Sequence, residues 1–403
     1  MLSSTDQTNI SAKLYLESIG TLGDTIAHLD GEPINVFGGI PGEKVTAKIV
    51  RYRRRGQQKT SGIVSEVHES SPHRISAPCN FFSTCTGCQW QHIEYSYQLI
   101  LKRESVQKAF NDYPSLAKLP ISPTLPASSI YEYRNHARFT VRYQGSLGFV
   151  NRITRRFVKI DRCMLMIPGI NAILSKLQGL SNETSQLSVR FGENTDDFLI
   201  QPLLKNPEIQ IPSGQKHYTE KLADRTFRIA SPSFFQVNID QAEQLVNIVL
   251  KRINVGPKGI LVDCFAGVGT FAALMAQHVS KVIAIEESSS AIEDAQYNSN
   301  DIQNIDFVQG KAEEVLEKIT EMPDGVIVDP PRSGCHPSTL QALAKLGPKN
   351  VVYVSCDPSS MARDLDQLVT QGYIVSSVDP IDMFPQTHHV ECVASLKFQG
   401  VGN

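Results

Sequence analysis

Two side chains in the C-terminal part of the chain are of the types that covalent catalysis needs. The apolar run Asn350-Val351-Val352-Tyr353-Val354-Ser355 ends in Cys356, and Asp357-Pro358 and a helical stretch follow. A cysteine where a strand exits ahead of a helix N-terminus is placed to act as a thiolate nucleophile, with its pKa lowered by that helix. Glu391, in His388-His389-Val390-Glu391, opens the last strand-like run and is placed to serve as a general base. A cysteine inside an apolar strand is ordinarily inert packing; Cys392 reads that way, and Cys264 and Cys335 carry no argument beyond it. The adjacent histidines lack a third ligand at metal spacing.

A nucleoside-type site precedes this pair. Ile260-Leu261-Val262 runs into Asp263-Cys264-Phe265-Ala266-Gly267-Val268-Gly269-Thr270. Glycines at such a turn let the backbone approach a ligand closely. The pattern stops at G-x-G, without the third glycine that serves a dinucleotide's pyrophosphate. It suits S-adenosylmethionine, which carries no phosphate. Glu286, nineteen residues after Gly267 at the end of KVIAIE, is placed to accept hydrogen bonds from ribose hydroxyls. The strand GVIV ends in Asp329-Pro330-Pro331-Arg332, and a Pro-Pro pair after an acid makes a rigid turn at the carboxyl edge of a sheet.

A thiolate, a carboxylate and S-adenosylmethionine together suit one chemistry. Carbon 5 of a pyrimidine is too weak a nucleophile to take a methyl group unaided. A thiolate adding to carbon 6 makes carbon 5 enolate-like, and a base must afterwards remove the carbon-5 proton so that the thiol can leave.

A second group of cysteines lies upstream. Cys79, Cys85 and Cys88 are spaced C-x5-C-x2-C, and Cys163 follows seventy-five residues after Cys88. That is metal-ligand spacing, and four thiolates suit either zinc or an iron–sulfur cluster. It is not the C-x3-C-x2-C of radical S-adenosylmethionine enzymes.

The elements that must position these residues fall into three parts. Residues 1–68 read as short strands with Gly/Pro turns, a small β-barrel. They carry the basic run Lys48, Arg51, Arg53, Arg54, Arg55 and Lys59, with Tyr52 inside it. Residues 69–230 form a central, strand-rich part with a helix over Tyr95–Phe110. Its second basic stretch runs through Arg134, His136, Arg138, Arg142, Arg152, Arg155, Arg156, Lys159 and Arg162. Residues 231–403 alternate strands and helices, which predicts a doubly wound α/β sheet. The 403 residues carry 39 Lys+Arg against 41 Asp+Glu, a net charge of −2, so the chain is no uniformly basic coat and any nucleic-acid surface is local. No apolar run reaches the length of a membrane helix, and the N-terminus lacks a secretory core, so a cytoplasmic protein with reduced thiols is expected.

These motifs, in this order, resemble the RNA uracil-C5 methyltransferases that form 5-methyluridine, and the resemblance covers nearly the whole chain. It implies a Rossmann-like S-adenosylmethionine-dependent α/β domain, an N-terminal OB-like barrel of the TRAM type over 8–68, and a central iron–sulfur domain. Cys79, Cys85, Cys88 and Cys163 match the ligands of the family's 4Fe-4S cluster. Gln236 in SPSFFQVN matches a residue of the cofactor and target-base pocket, and Phe265, Glu286 and Asp329 match cofactor positions. Cys356 in SCDP matches the nucleophile and Glu391 in HHVEC the proton-abstracting base. The layout implies RNA as partner, 23S ribosomal RNA first and transfer RNA as the alternative, a monomer, and a helical segment at about 91–120 packed on the catalytic domain. The chain departs from the family in reading D-C-F-A-G-V-G where relatives often have D-L-Y-C-G-x-G, and in carrying Cys392 after the base. A base methyltransferase acting on an exocyclic nitrogen and a non-catalytic RNA-binding protein are the competing readings.

Overall fold

Successive residues of a strand point to opposite faces of its sheet, and in the C-terminal half both faces are apolar. Val262, Val326, Val328, Val351 and Tyr353 pack into one buried cluster, while their neighbours Leu261, Ile327, Val352 and Val354 pack into another. Such strands are covered by helices on both sides. The structure, a computed structural model, describes residues 10–54 and 57–400. Of the basic run, Arg55 lies outside the described residues.

The covered sheet has seven strands in the spatial order Ile305–Gln309, Lys281–Glu286, Ile260–Cys264, Gly325–Val328, Asn350–Ser355, Glu391–Phe398, Tyr373–Ile381. The first five are parallel, and Glu391–Phe398 runs antiparallel to both its neighbours. The order reverses between Ile260–Cys264 and Gly325–Val328, which opens a crevice at their carboxyl ends. The G-x-G turn and the Asp329 turn both leave the sheet there.

The helices on the two faces are specified locally. Ile239–Ile253 starts on Asn238, whose side chain accepts from the Gln241 N–H, and buries Ile239, Ala242, Leu245, Val246, Val249 and Ile253 against one face. Pro358–Thr370 starts on Asp357 and buries Met361, Ala362, Leu365 and Leu368 against the other. Each buried Ile, Leu, Val or Met among them contributes about 1.5–3 kcal/mol on burial. The helix Tyr95–Asn111 comes from far upstream, yet Val106 and Phe110, with Leu116 and Ile121, lie in that same cluster. The chain then bridges to the edge strand through Ile121 with Val378 and Leu125 with Ile381.

Among the described residues three further sheets precede the seven-stranded one, the last of them the two-stranded pair His217–Leu222 and Arg225–Ala230. A six-stranded sheet, in the order Ser11–Tyr15, Lys44–Arg54, Gln57–Glu69, Glu32–Phe37, Thr25–Leu29, Ser18–Ile19, has its own core of Leu14, Ala27, Val36, Val45 and Ala47. A five-stranded sheet built on His136–Arg142 and Gln186–Phe191 packs on the helix Pro168–Leu177 around Phe139, Ile170, Leu174 and Val189. No helix among the described residues is long and apolar enough to cross a membrane.

Candidate active site

The G-x-G turn leaves its strand under strain. Phe265 is held at φ +65°, a left-handed conformation that costs a side-chain-bearing residue on the order of 1 kcal/mol. Glu286, at the end of the neighbouring strand, braces the turn: its Oε2 accepts the Gly267 N–H at 2.9 Å and its Oε1 the Ser288 N–H at 2.7 Å. Asp263, at the foot of the turn, is fully buried; its Oδ2 accepts the Ala272 N–H at 2.9 Å and its Oδ1 has no partner. A cavity of about 50 Å³ opens beside this turn, lined by Phe265, Gly267, Thr270, Gln236, Phe234 and Asp329 among others. Gln236, Phe265 and Asp329 thus meet at one cavity, and Glu286 touches it through Gly267.

The second group gathers where three strands end. Cys356 follows Asn350–Ser355, Asp329 follows Gly325–Val328, and Glu391 begins the strand between Asn350–Ser355 and the sheet edge. Burial pushes the half-buried Asp329 carboxyl up to about 7. The Glu391 carboxyl, 4 % exposed, is raised well above the usual range by burial first and by Asp329 next, with Arg332 opposing. The Cys356 thiol is pushed up to about 11 by burial and by Glu391, while the charge and hydrogen bond of Arg332 pull it down. A lowered thiol pKa was expected from the helix N-terminus, and the structure reverses that expectation. The helix is capped by Asp357, whose own carboxylate accepts the Ser359 and Ser360 N–H groups. An anion therefore already occupies the positive end of the dipole.

Arg332 is the residue that the sequence did not single out. Its charge acts on both Cys356 and Glu391, and its loop is latched to the helix Pro358–Thr370 that follows Cys356. Arg363 Nη2 donates to Ser333 O at 2.8 Å. The buried Asp364 Oδ2 accepts both the Cys335 N–H at 2.7 Å and the Tyr353 hydroxyl at 2.5 Å. Gly334 lies in this latch at φ +76°, and a Cβ there would stand 2.5 Å from both Arg363 Nη2 and Asp364 Oδ2.

Cys79, Cys85, Cys88 and Cys163 line one cavity of about 480 Å³, whose wall also includes Gln236, Phe234, Arg332 and His389. Gln236 and Phe234 therefore stand between it and the cofactor-side cavity; Cys356 and Glu391 are in neither wall. All four thiols are free. Burial pushes Cys85 up to about 11 and raises Cys88 and Cys163, and the neighbouring cysteines reinforce each shift. The cysteine segment is tied to the central sheet by Asn151 Nδ2, which donates to Thr84 O at 2.7 Å, and by the Arg152 N–H, which donates to Thr86 Oγ1 at 2.9 Å. Among the described residues no group of three or more His, Cys, Asp or Glu side chains is gathered as it would be round one metal ion. His388 and His389 are half-buried, and burial lowers their pKa values to about 4 and about 3.

Comparison with known proteins places this geometry. The family described as tRNA (uracil-5-)-methyltransferase matches residues 214–398. An RNA methyltransferase of Gloeobacter violaceus is 32% identical over 93% of this chain and 94% of its own length. One of Listeria monocytogenes is 31% identical over 96% of this chain and 97% of its own. Among solved structures, the Pyrococcus abyssi tRNA (uracil-54, C5)-methyltransferase in complex with S-adenosyl-L-homocysteine superposes with a TM-score of 0.73 at 25% identity, covering 96% of this chain and all of that one.

Proposed function

The chain belongs to the RNA (uracil-5-)-methyltransferase family, and we propose that it forms 5-methyluridine with Cys356 as nucleophile and Glu391 as base, in 23S ribosomal RNA on the strength of its layout, an N-terminal strand-rich sheet followed by a four-cysteine set. The observation that carries the mechanism is the meeting of Cys356, Glu391, Asp329 and Arg332 at adjacent strand ends, next to the turn of Phe265 and Gly267. S-adenosylmethionine, seated at Gln236, Phe265, Glu286 and Asp329, supplies an electrophilic methyl group. The braced Glu286 and the unpaired Asp263 Oδ1 are acceptors suited to the hydroxyl and ammonium groups of such a ligand.

Each remaining step belongs to the chain's own side chains. Arg332 favours the Cys356 thiolate against the burial that raises its pKa. The thiolate adds to carbon 6 of the target uracil, and carbon 5 takes the methyl group. Glu391 then removes the carbon-5 proton; the C–H electron pair restores the 5,6 double bond, and the carbon–sulfur bond breaks to return the thiolate. Burial strengthens Glu391 as a proton acceptor. The target base must be flipped out of folded RNA to reach Cys356. The six-stranded sheet, taken as the TRAM-type OB-like barrel of residues 1–68, and the arginines of the central part 69–230 hold the flanking backbone. The catalytic domain 231–403 recruits the helix at 91–120. The protein acts as a cytoplasmic monomer.

The four-cysteine cavity is read as the seat of a 4Fe-4S cluster. Four free thiols on one wall supply the donor set. Four thiolates suit either such a cluster or one zinc. The cluster would tie the 79–88 segment to Cys163; methyl transfer calls for no electron. Iron and acid-labile sulfide near four per chain are expected, and one zinc per chain overturns the assignment.

Cys356→Ala is expected to abolish both methylation and the covalent RNA adduct, and Glu391→Gln to trap an adduct that survives a denaturing gel. Full turnover by Cys356→Ala would refute the mechanism and leave exocyclic-nitrogen methylation, which needs no thiolate. Transfer RNA is the second reading, favoured by the whole-chain likeness to the Pyrococcus abyssi enzyme. Mapping 5-methyluridine in ribosomal and transfer RNA from a deletion strain decides between them.

A further inference from the structure

Between the strands Tyr373–Ile381 and Glu391–Phe398 the chain passes through a segment, 382–389, that belongs to no helix or strand. An irregular segment must find partners for its backbone outside itself. Here five consecutive carbonyls do so, each in a different way. Gln241 Nε2 donates to Asp382 O and Asn238 Nδ2 to Met383 O, both at 3.1 Å. Lys102 Nζ donates to Phe384 O at 3.1 Å and the Tyr133 hydroxyl to Pro385 O at 3.0 Å. The N–H groups of Gln89 and Trp90 both donate to Gln386 O, at 3.2 and 3.1 Å.

Side chains lock the same segment from below. Lys102 and Asp382 form an ion pair with both side chains fully buried, and the Tyr95 hydroxyl adds a bond to Asp382 Oδ2 at 2.9 Å. Gln98 and Gln386 exchange two hydrogen bonds: Gln98 Oε1 accepts the Gln386 N–H at 3.1 Å and Gln98 Nε2 donates to Gln386 Oε1 at 3.0 Å. Gln386 is held at φ +67°, a conformation that persists only where surroundings over-determine it. A buried ion pair is a weak device for stability, because its desolvation offsets its attraction. It is a strong device for fixing one geometry. Only Val390 separates this fixed segment from Glu391.

We propose that Lys102, Tyr133 and Gln98 are positioning residues for the general base: they set where the Glu391 carboxyl stands when it takes the carbon-5 proton. The proposal rests on the reading of Glu391 as that base. None of the three touches the reacting atoms. Because the donors come from the helix Tyr95–Asn111, from Tyr133 and from the cysteine segment, the upstream part of the chain shares in the proton-removal step. Addition of Cys356 and methyl transfer depend on other strand ends and precede that step.

The test separates the steps. Tyr133→Phe removes one hydroxyl and keeps the ring; Lys102→Met removes the buried cation. In purified full-length enzyme with RNA, turnover is expected to fall about tenfold or more, as for misplacement of a reacting group. The KM for RNA should change less than about twofold, and the denaturant-stable RNA adduct should rise at steady state. Turnover and adduct falling together would overturn the proposal, since a structural defect harms both; so would unchanged turnover in Tyr133→Phe. Lys102→Met is scored only if it folds, and Tyr133→Phe decides alone otherwise. Glu391→Gln serves as the control. If it traps no adduct, the reading of Glu391 as base fails; if it traps adduct and Tyr133→Phe does not, the positioning inference fails alone.

Discussion

The two halves of the proposed active site are built in different ways. Cys356, Asp329 and Phe265 stand within a residue or two of the strand that carries them, on turns at the carboxyl edge of one sheet. Glu391 also begins a strand, but the segment that delivers it is held by Gln241, Asn238, Lys102, Tyr133, Gln89 and Trp90. The first half is local, and a few residues of sequence suffice to place each group. The second is a convergence of distant segments. In the proposed mechanism the difference also divides the chemistry: bond formation at carbon 6 and methyl transfer fall to the local half, and proton removal to the convergent one.

Asp364 offers the hardest test of the local half. It accepts from the Tyr353 hydroxyl and the Cys335 N–H, and Asp364→Ala leaves both buried donors unsatisfied. Each orphaned group costs about 1–3 kcal/mol, so a loss of roughly 2–6 kcal/mol in denaturant unfolding is expected. Activity should fall as well, because the loop that carries Arg332 loses its anchor. A stability change under about 0.5 kcal/mol would show that the latch carries no weight.

Gly334→Ala probes the same latch more gently. The substitution meets φ +76° and two side-chain atoms at 2.5 Å. A cost of about 1–3 kcal/mol is expected from the backbone alone. Methylation should suffer before RNA binding does, and equal loss of both would contradict a role for this loop in holding Arg332.

Much of the local half was readable before the fold was known. The runs ending at Cys264, Glu286, Val328 and Ser355 are short, apolar and followed by turn residues, so strand ends could be located and acids and thiols assigned to them. The convergent half was not. Lys102 sits among Lys, Arg and Glu in a helix whose sequence looks solvent-facing, and only the fold buries it on Asp382. Arg332 after Pro-Pro reads as an exposed loop charge, and exposed it is; its meaning lies in what stands beside it. The cysteines fall between: C-x5-C-x2-C reads as metal-ligand spacing, but spacing alone cannot join Cys163 to the other three, whereas all four line one cavity.

Glu391 should make the protein less stable than it could be. Its carboxyl is raised above the ordinary glutamate value by burial. Above about pH 4.5 the unfolded chain ionises at this residue while the folded one stays protonated, so the folded state binds more protons and stability falls as pH rises towards the folded pKa. Glu391→Gln removes that penalty. The variant should melt a few degrees higher than the parent at pH 8, with roughly 2–4 °C for each kcal/mol, and no higher at pH 4. An equal gain at both pH values would mean that packing, not ionisation, separates the two proteins.

The smallest effect is expected on the N-terminal sheet. Arg51 is exposed on the strand Lys44–Arg54 of the N-terminal sheet, opposite Thr60 in the paired strand. If that surface serves RNA through its backbone, Arg51→Ala removes about one phosphate contact. Binding should weaken only a few-fold, alike for any RNA sequence, and the slope of log affinity against log salt should drop by about 1. Turnover at saturating RNA and the fraction of covalent adduct should match the parent, because neither the strand-end groups nor the segment before Glu391 is touched. A change in the adduct fraction would extend the convergent half of the site as far as this sheet.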